Sequence, residues 1–163
     1  MLLRRAAVGS AIFFALAPGV VAGVLPWWLT RWELRPASAA IRVAGMVLIL
    51  LGVPFLVSLF VRFVRDGLGT PAPVAPTERL VTTGPYRHVR NPMYLAVLSA
   101  IVGQALLLGQ PVLLAYACAV GLTFVIWVRI YEEPVLRQQF GEAYDAYCRA
   151  VPGWLPRLHP WKG

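Results

Sequence analysis

The sequence predicts an all-α integral membrane protein of one domain, residues 1–163, with about four transmembrane helices, the last two forming a hairpin. Two observations support this prediction. The chain is 59% hydrophobic and only 13% charged, whereas soluble domains carry about 25% charged residues. Its mean hydropathy is +0.68, and long stretches lack any formal charge, as helices that cross hydrocarbon require.

The first two spans are predicted at residues 6–29 and 43–61. The first is an uncharged stretch that follows Arg4 and Arg5, and it is longer than the apolar part of a signal peptide, which has about 7–15 residues. Pro18 is expected to bend this helix. The second stretch has 19 residues and, at about 1.5 Å per residue, it reaches roughly 28 Å, enough to cross the hydrocarbon.

The third and fourth spans are predicted from a run of 37 residues, 92–128, that carries no formal charge. This run is too long for one helix across about 30 Å of hydrocarbon, and Gly109-Gln110-Pro111 is a turn signal near its middle. We therefore expect a hairpin of two short spans, residues 92–108 and 111–129. Its only strongly polar side chains, Gln104 and Gln110, are expected to bond across helices or to face the interface.

The placement of arginine predicts the orientation in the membrane. With four spans, the N-terminus, the loop after the second span and the tail lie on one side, and they hold twelve of the fifteen basic residues. The opposite side holds only Arg31, Arg35 and Arg42. Because basic residues favour the cytoplasmic side, both termini, the loop 65–91 and the tail 130–163 are expected in the cytoplasm. The protein would be integral to the cell (inner) membrane.

The stretch GPYRHVRNPMY, residues 84–94, concentrates cationic, aromatic and hydrogen-bonding side chains in a chain that is otherwise mostly apolar. Pro92 can open a helix, because its fixed φ suits the first turn and its missing N–H would be unpaired there. Asn91 before it is predicted to cap that helix, its side-chain oxygen accepting a backbone N–H. The stretch therefore predicts a polar ligand site at the mouth of the third span.

A second polar cluster, RIYEEP, follows the fourth span. Glu132 and Glu133 project about 100° apart on a helix, so one can face a pocket while the other faces water or Arg129. Alternatively, both merely end the apolar span and pair with arginines. Beyond them, helical spacing predicts an amphipathic helix, interrupted at Gly141, that lies in the interface or caps the loop. Its apolar face comprises Leu136, Phe140, Tyr144, Tyr147 and Val151.

These two clusters limit the chemistry. The sequence has no Walker loop, no metal-binding spacing of His or Cys, no G-x-S-x-G motif and no DNA-binding pattern, so neither a metal nor nucleic acid is expected. Carboxylates, tyrosines, arginines and a histidine together suit a cofactor that carries a carboxylate, ribose hydroxyls, an amino group and a sulfonium. Methyl transfer from a sulfonium depends mainly on alignment and on exclusion of water.

Several linked motifs carry a family resemblance over residues 67–156, more than half the chain. In order they are GPYRHVRNPMY, the turn LLLGQP, RIYEEPVL and FGEAYDAYCRAVPGWLP. The chain resembles the isoprenylcysteine carboxyl methyltransferase and phospholipid N-methyltransferase superfamily of membrane enzymes. This resemblance implies S-adenosylmethionine in a cytoplasmic pocket and a lipophilic acceptor that enters from the bilayer. The acceptor could be an isoprenylcysteine-like carboxylate, a phospholipid amine or a small thiol.

The resemblance also implies roles for particular residues. His88, Arg90 and Glu133 would be catalytic, and Gly67 and Gly69 would match, more loosely, a G-x-G of the phospholipid branch. Either His88 contacts the cofactor, or it helps to deprotonate an acceptor, or it is structural. The residues implied to bind the cofactor are Tyr86, His88, Arg90, Asn91, Pro92, Tyr94, Arg129, Glu132, Glu133, Gly67 and Gly69.

The chain departs from the family motif at one position, and two other classes of function stay open. The carboxyl methyltransferase branch usually reads Arg-His-Pro where this chain reads Arg90-Asn91-Pro92, so Asn91 could serve only as a cap. A non-catalytic transporter or assembly subunit is disfavoured, because the spans carry no buried charge pair at mid-depth. A reductase of related fold would bind a nicotinamide cofactor in a similar cavity. Cofactor binding separates these hypotheses.

Overall fold

A computed structural model describes residues 17–67 and 79–162, and at residues 63–67 the backbone alone. Every regular element in this part of the chain is helical. The elements in order are a π-helical turn (Val20–Val24), α1 (Leu25–Thr30), α2 (Ala39–Gly67), a 3-10 turn (Gly84–Arg87), α3 (Pro92–Leu108), α4 (Pro111–Trp127), a second π-helical turn (Val128–Glu132), α5 (Glu133–Phe140) and α6 (Glu142–Ala150).

Two of these helices are long and apolar enough to cross a membrane, Ala39–Arg62 within α2 and the continuous helix Pro111–Phe140. Val20–Thr30 and Pro92–Leu108 are apolar but shorter. The predicted all-helical class is therefore confirmed for the described residues, while the topology of four spans remains a prediction. Residues 6–16 of the first predicted span lie outside the described residues.

The ends of the helices follow from local sequence in some places and not in others. α3 begins at Pro92, and Gly109 with φ +67 ends it, as the proline and glycine signals predict. The helix that contains the fourth predicted span continues beyond residue 129 to Phe140, and the point at which the chain leaves the membrane stays a prediction. Pro134 has no N–H to donate to the preceding turn, and the wide π-helical turn ends two residues before it, at Glu132.

α2 and α3 pack closely through glycine. A Cβ atom added at Gly45 would lie 2.5 Å from the Gly103 carbonyl oxygen, and one added at Gly103 would lie 2.9 Å from the Gly45 carbonyl oxygen. Small residues allow helix backbones in membranes to approach in this way. Further along, Leu56, Leu59 and Ile101 belong to the main buried cluster.

We expect Gly45→Ala to lower the free energy of unfolding by about 1–3 kcal/mol, the usual cost of overpacking. Gly121→Ala is the matched control, because its nearest side-chain atoms lie at 3.5 and 3.7 Å, ordinary contact distances. The measurement is thermal unfolding of detergent-purified protein, followed by tryptophan fluorescence. A Gly45→Ala midpoint equal to that of the wild type would contradict this packing.

Polar side chains attach the first helical segment to α3 and α4. Gln104 Nε2 donates to the Ala22 carbonyl at 2.6 Å, and Tyr116 OH donates to the Val21 carbonyl at 2.8 Å. Both acceptors lie in the first π-helical turn, whose wide geometry frees carbonyls from the regular i→i−4 pattern. Gln104 therefore bonds across helices, as predicted. In the described part of this segment the departure from α geometry lies at Val20–Val24, and the bend at Pro18 stays a prediction because residues 1–16 lie outside the described residues.

Neighbouring helices run in opposite directions. Arg42, near the start of α2, donates to the Leu107 carbonyl near the end of α3 at 2.9 Å. Tyr94, near the start of α3, lies with its ring centroid 4.5 Å from that of Phe124, near the end of α4. The loop and tail segments are therefore at one end of the helices. Arg31, Arg35 and Arg42 are at the other.

Candidate active site

A cavity of about 500 Å³ lies where α3 begins and α4 continues into α5. This volume falls within the range of small-molecule sites, about 300–1,000 Å³. One part of the wall is polar and the other apolar, so the cavity suits a polar and a lipophilic group side by side. The polar part includes Tyr86, Arg90, Asn91, Tyr94, Glu132, Gln139, Tyr144 and Tyr147, and the apolar part includes Ala17, Pro18, Val21, Leu56, Phe60, Val97 and Phe124.

The part of the loop that leads into α3 begins at Gly84, and two contacts fix its backbone there. Gly84 has φ +56, a conformation that glycine adopts at little cost, and a Cβ there would lie 2.8 Å from Arg62 Cζ. Tyr147 OH donates to the Tyr86 carbonyl at 2.6 Å. Both rings are buried, and burial raises the pKa of both hydroxyls well above their ordinary value. Both hydroxyls are therefore neutral, and that of Tyr147 is a hydrogen-bond donor.

The C-terminal tail holds the rest of the loop through backbone hydrogen bonds. The Arg90 and Asn91 N–H groups donate to the carbonyls of residues 152 and 153 at 2.9 and 3.2 Å. In return, the Arg157 N–H donates to the His88 carbonyl at 2.9 Å, and the Trp161 N–H donates to the Arg87 carbonyl at 3.0 Å. Residues 152–161 thus act as a strap along the loop, a role that the sequence did not predict.

The predicted side-chain cap at Asn91 is wrong. Asn91 stands at the N-cap position of α3 without a side-chain cap bond. Its Nδ2 instead donates to the Gly153 carbonyl at 3.1 Å, because the tail passes directly beside it. Pro92, which follows, is buried in the cavity wall and opens the helix.

His88 takes the structural alternative among its predicted roles. Its Nδ1 lies 2.8 Å from the Arg157 carbonyl oxygen, so this nitrogen carries the proton and donates. The ring is not part of the cavity lining. In this geometry His88 positions the tail, and the roles in proton transfer or cofactor contact gain no support.

Arg90 connects the loop with α5 and α6. Its Nη1 donates to Glu133 Oε1 at 3.0 Å and to Cys148 Sγ at 2.8 Å. Burial lowers the pKa of the guanidinium, but the nearby Cys148, Tyr144 and Glu133 outweigh it, and the pKa lies above its ordinary value. Arg90 Nε is buried and has no hydrogen-bond partner in the part of the chain that the structure describes. A cavity-lining cation therefore retains an unused donor.

The two adjacent glutamates face different ways, as predicted. Glu132 lines the cavity and accepts a hydrogen bond from Tyr94 OH. Glu133 does not line it; its Oε1 bonds to Arg90, and its Oε2 lies 3.9 Å from Arg137 Nη2. The predicted alternative of pairing with arginine thus applies to Glu133 alone. The start of α3 and the end of the fourth helix are joined at one place by these contacts.

The chain matches a protein-family model over more than half of its length. The phospholipid methyltransferase model matches residues 40–143, which includes α2, α3, α4, α5 and both glutamates. The chain belongs to this family. The resemblance read from the motifs is thereby confirmed.

Three relatives each match about half of this chain. Two are named as isoprenylcysteine methyltransferases. "Probable protein-S-isoprenylcysteine O-methyltransferase" of Oryza sativa subsp. japonica is 39% identical over 84 residues, 48% of this chain and 41% of the relative. "Protein-S-isoprenylcysteine O-methyltransferase B" of Arabidopsis thaliana is 36% identical over 84 residues, 48% of this chain and 40% of the relative.

A third relative has a name of another kind. "Nickel-cobalt-cadmium resistance protein NccN" of Alcaligenes xylosoxydans xylosoxydans is 38% identical over 83 residues, 50% of this chain and 38% of the relative. The matches span about two fifths of the length of these relatives. No solved structure matches the chain significantly.

Among the residues with described side chains that the family resemblance implied to bind the cofactor, three do not line the cavity: His88, Arg129 and Glu133. Arg129 lies in the second π-helical turn with an exposed side chain, and it is not part of the lining. Gly67 is the last residue of α2. Gly69 lies outside the described residues, so the G-x-G stays a prediction. Arg129 does not take its predicted place because the wide turn directs the side chain of Glu132, and not that of Arg129, toward Tyr94.

Several aromatic residues of the cavity were missed by the sequence reasoning. Phe124 and Trp127 line it, and their spacing with Tyr131 is that of one helix face, a signal that was available. The Trp127 and Tyr131 rings stack with centroids 4.6 Å apart. Trp154 contacts the Tyr94 ring at 6.2 Å from the tail, beyond the family match, and no local pattern indicates it.

Proposed function

We propose that this protein is an S-adenosylmethionine-dependent integral membrane methyltransferase that transfers a methyl group to a lipophilic acceptor. The observation that supports this most is the two-part cavity, in which Arg90 and Glu132 lie at the polar part and aliphatic and aromatic side chains form the rest. Membership of the phospholipid methyltransferase family and the names of the Oryza and Arabidopsis relatives support the same reaction class.

The polar residues fit the cofactor. S-adenosylmethionine presents a carboxylate, an ammonium, ribose hydroxyls and a sulfonium. The buried, unpartnered Nε–H of Arg90 suits the carboxylate through a charge-assisted bond, and Glu132 suits the ribose or the amino group. The faces of Tyr94 and Tyr144, both in the lining, suit a sulfonium. When bound, the cofactor would supply an electrophilic methyl group.

The protein's own contribution would be alignment and dehydration. Arg90 is held by Glu133 and Cys148, and Glu132 is held by Tyr94, so both polar anchors are oriented before a ligand arrives. Fixing reactants in this way lowers the entropic part of a barrier. The apolar wall excludes water from the same space. A carboxylate acceptor would need no acid or base from the cavity, whereas an amine or thiol acceptor would have to release its proton to water or to a nearby carboxylate as the methyl group is transferred.

The acceptor would lie on the apolar part of the cavity. Leu56, Phe60, Val97 and Phe124 there suit a prenyl or acyl chain. A carboxylate of the isoprenylcysteine type, a phospholipid amine and a small thiol all remain acceptors under this proposal. The lipid bilayer is then the phase from which the acceptor is taken.

We also propose four spans with both termini and the cavity on the cytoplasmic side of the inner membrane. The alternating helix directions support this arrangement. The division of basic residues supports it too, since the cavity end carries Arg87, Arg90, Arg149 and Arg157 and the other end carries the three arginines of residues 31–42. Basic residues are enriched on the cytoplasmic side of membrane proteins.

Isothermal titration of detergent-purified protein tests the proposal. S-adenosylhomocysteine is expected to bind in the micromolar range, and NADPH is expected to give no signal. Binding of NADPH alone would indicate the reductase alternative. Binding of neither would favour a non-catalytic membrane protein and contradict the proposal.

A further inference from the structure

A second cavity, of about 310 Å³, lies at the opposite end of the helices. Arg31, Glu33 and Arg35 line it from the segment between α1 and α2, and Gln110 lines it from the turn after α3. The candidate active site lies at the start of α3 and this cavity at its end. At about 1.5 Å per residue, a helix of 17 residues separates them by roughly 25 Å.

The backbone of this cavity is fixed by hydrogen bonds. Gln110 is only 3% exposed, and its Nε2 donates to the Glu33 carbonyl at 2.9 Å. The Arg35 N–H donates to the Leu108 carbonyl at 2.8 Å. Arg42 Nη2 donates to the Arg35 carbonyl at 2.7 Å. The segment is therefore held by its main chain, and its charged side chains are not needed to hold it.

Those charged side chains are available to a ligand. Among the described residues, Arg31, Glu33 and Arg35 form no side-chain ion pair or hydrogen bond. The Arg31 guanidinium lies 4.5 Å above the Trp27 ring, which orients the cation without neutralising it. Two guanidinium groups and one carboxylate in one cavity match a ligand that carries a phosphate and an ammonium.

The surroundings place this cavity at the level of a membrane surface. Trp27, Trp28 and Trp32 expose between 41% and 62% of their area, and tryptophan beside arginine is typical of the membrane–water interface. Both helices that are long enough to cross a membrane begin here, at Ala39 and Pro111. A ligand from the lipid phase therefore fits the position better than one from bulk water.

We propose that this second cavity binds the headgroup of a zwitterionic phospholipid of the phosphatidylethanolamine type, in the leaflet opposite the candidate active site. Arg31 and Arg35 receive the phosphate, since arginine pairs with phosphate in bidentate geometry. Glu33 receives the ammonium. This proposal does not depend on methyl transfer, because none of its residues belongs to the other cavity.

Native mass spectrometry with defined lipids tests the proposal. Purified protein is equilibrated in detergent with equal amounts of dioleoyl phosphatidylethanolamine and dioleoyl phosphatidylglycerol, and the retained lipid is counted. We expect the wild type to retain phosphatidylethanolamine preferentially. Arg31→Gln/Arg35→Gln is expected to weaken that retention about tenfold, in line with loss of a charge-assisted contact. Glu33→Gln is expected to shift the preference toward phosphatidylglycerol, because only the ammonium loses its partner.

Arg149→Gln is the matched control, an exposed arginine on α6 at the other end of the molecule, and it should retain lipid like the wild type. Equal retention by the double variant and the wild type would overturn the proposal, as would a wild-type preference for phosphatidylglycerol. Displacement of the lipid by soluble phosphoethanolamine alone would indicate a water-soluble ligand and also overturn it. If the double variant unfolds in detergent, Glu33→Gln alone tests the proposal: a shift toward phosphatidylglycerol supports it, and an unchanged headgroup preference overturns it.

Discussion

Arg90→Ala is expected to weaken binding of S-adenosylhomocysteine by about 10- to 100-fold, the largest effect of any single substitution in the cavity. The estimate follows from losing one charge-assisted hydrogen bond, worth about 1.5–3 kcal/mol. Arg90 is suited to this role because its Nε is buried and unpartnered among the described residues, while Nη1 is already occupied by Glu133 and Cys148. Isothermal titration measures the affinity.

Arg90→Lys separates binding from folding. Lysine keeps the positive charge beside Glu133, so the protein should stay monodisperse, but it has no equivalent of the Nε–H and presents a single ammonium. Its affinity for S-adenosylhomocysteine should therefore stay well below that of the wild type. Arg149→Ala is the surface control and should bind normally. Wild-type affinity in Arg90→Lys would show that Arg90 only holds Glu133.

The second large effect is expected at the pair of Glu132 and Tyr94. Glu132→Gln should weaken binding of S-adenosylhomocysteine about tenfold, because a neutral amide replaces the carboxylate that is to accept from the ligand. Tyr94→Phe should weaken it less, since the carboxylate remains but loses the hydroxyl that orients it. In the double variant the two losses should not add, because the hydroxyl acts through the carboxylate.

Titration of the wild type, both single variants and the double variant completes this cycle. A coupling of about 1 kcal/mol is expected, within the usual range for residues in contact. Glu142→Gln, an exposed glutamate on α6, and Tyr116→Phe, whose hydroxyl bonds to Val21, control for charge and for loss of a hydroxyl. Strictly additive losses would mean that Tyr94 and Glu132 contact the ligand independently or not at all.

The sequence predicted those parts of the fold that have a local cause. Pro92 and Gly109 bracket α3 because one lacks an N–H and the other adopts a positive φ. Gly141, with φ +53, interrupts the amphipathic stretch where glycine was expected to do so. The meeting of residues 84–94 with Glu132 also followed, because antiparallel helices of similar length bring the start of one beside the end of the next.

What the sequence could not predict depends on distant contacts. Asn91 was expected to cap its own helix, yet its amide bonds to Gly153, 62 residues away in sequence. The family resemblance implied a chemical role for His88 and a structural role stayed open; its ring contacts the Arg157 carbonyl. The tail that makes both contacts has no helical or strand periodicity, so its path along the loop has no local signature.

The sequence also could not predict which of the two glutamates faces the cavity. A regular α-helix sets adjacent side chains about 100° apart but does not say which one faces inward. The second π-helical turn, Val128–Glu132, precedes α5 and sets that choice, directing Glu132 to Tyr94 and Glu133 to Arg90. A single wide turn of this sort is not recognisable from residue types alone.

Methyl transfer tests the central claim most directly. Purified protein is supplied with S-adenosylmethionine labelled in its methyl group and with membrane lipid extract or prenylcysteine analogues, and label is counted in the organic phase. We expect wild-type protein to produce a labelled lipophilic product and Arg90→Ala to produce almost none. Transfer by Arg90→Ala at the wild-type rate, or no labelled product with any acceptor from a wild-type protein that binds S-adenosylhomocysteine, would contradict it.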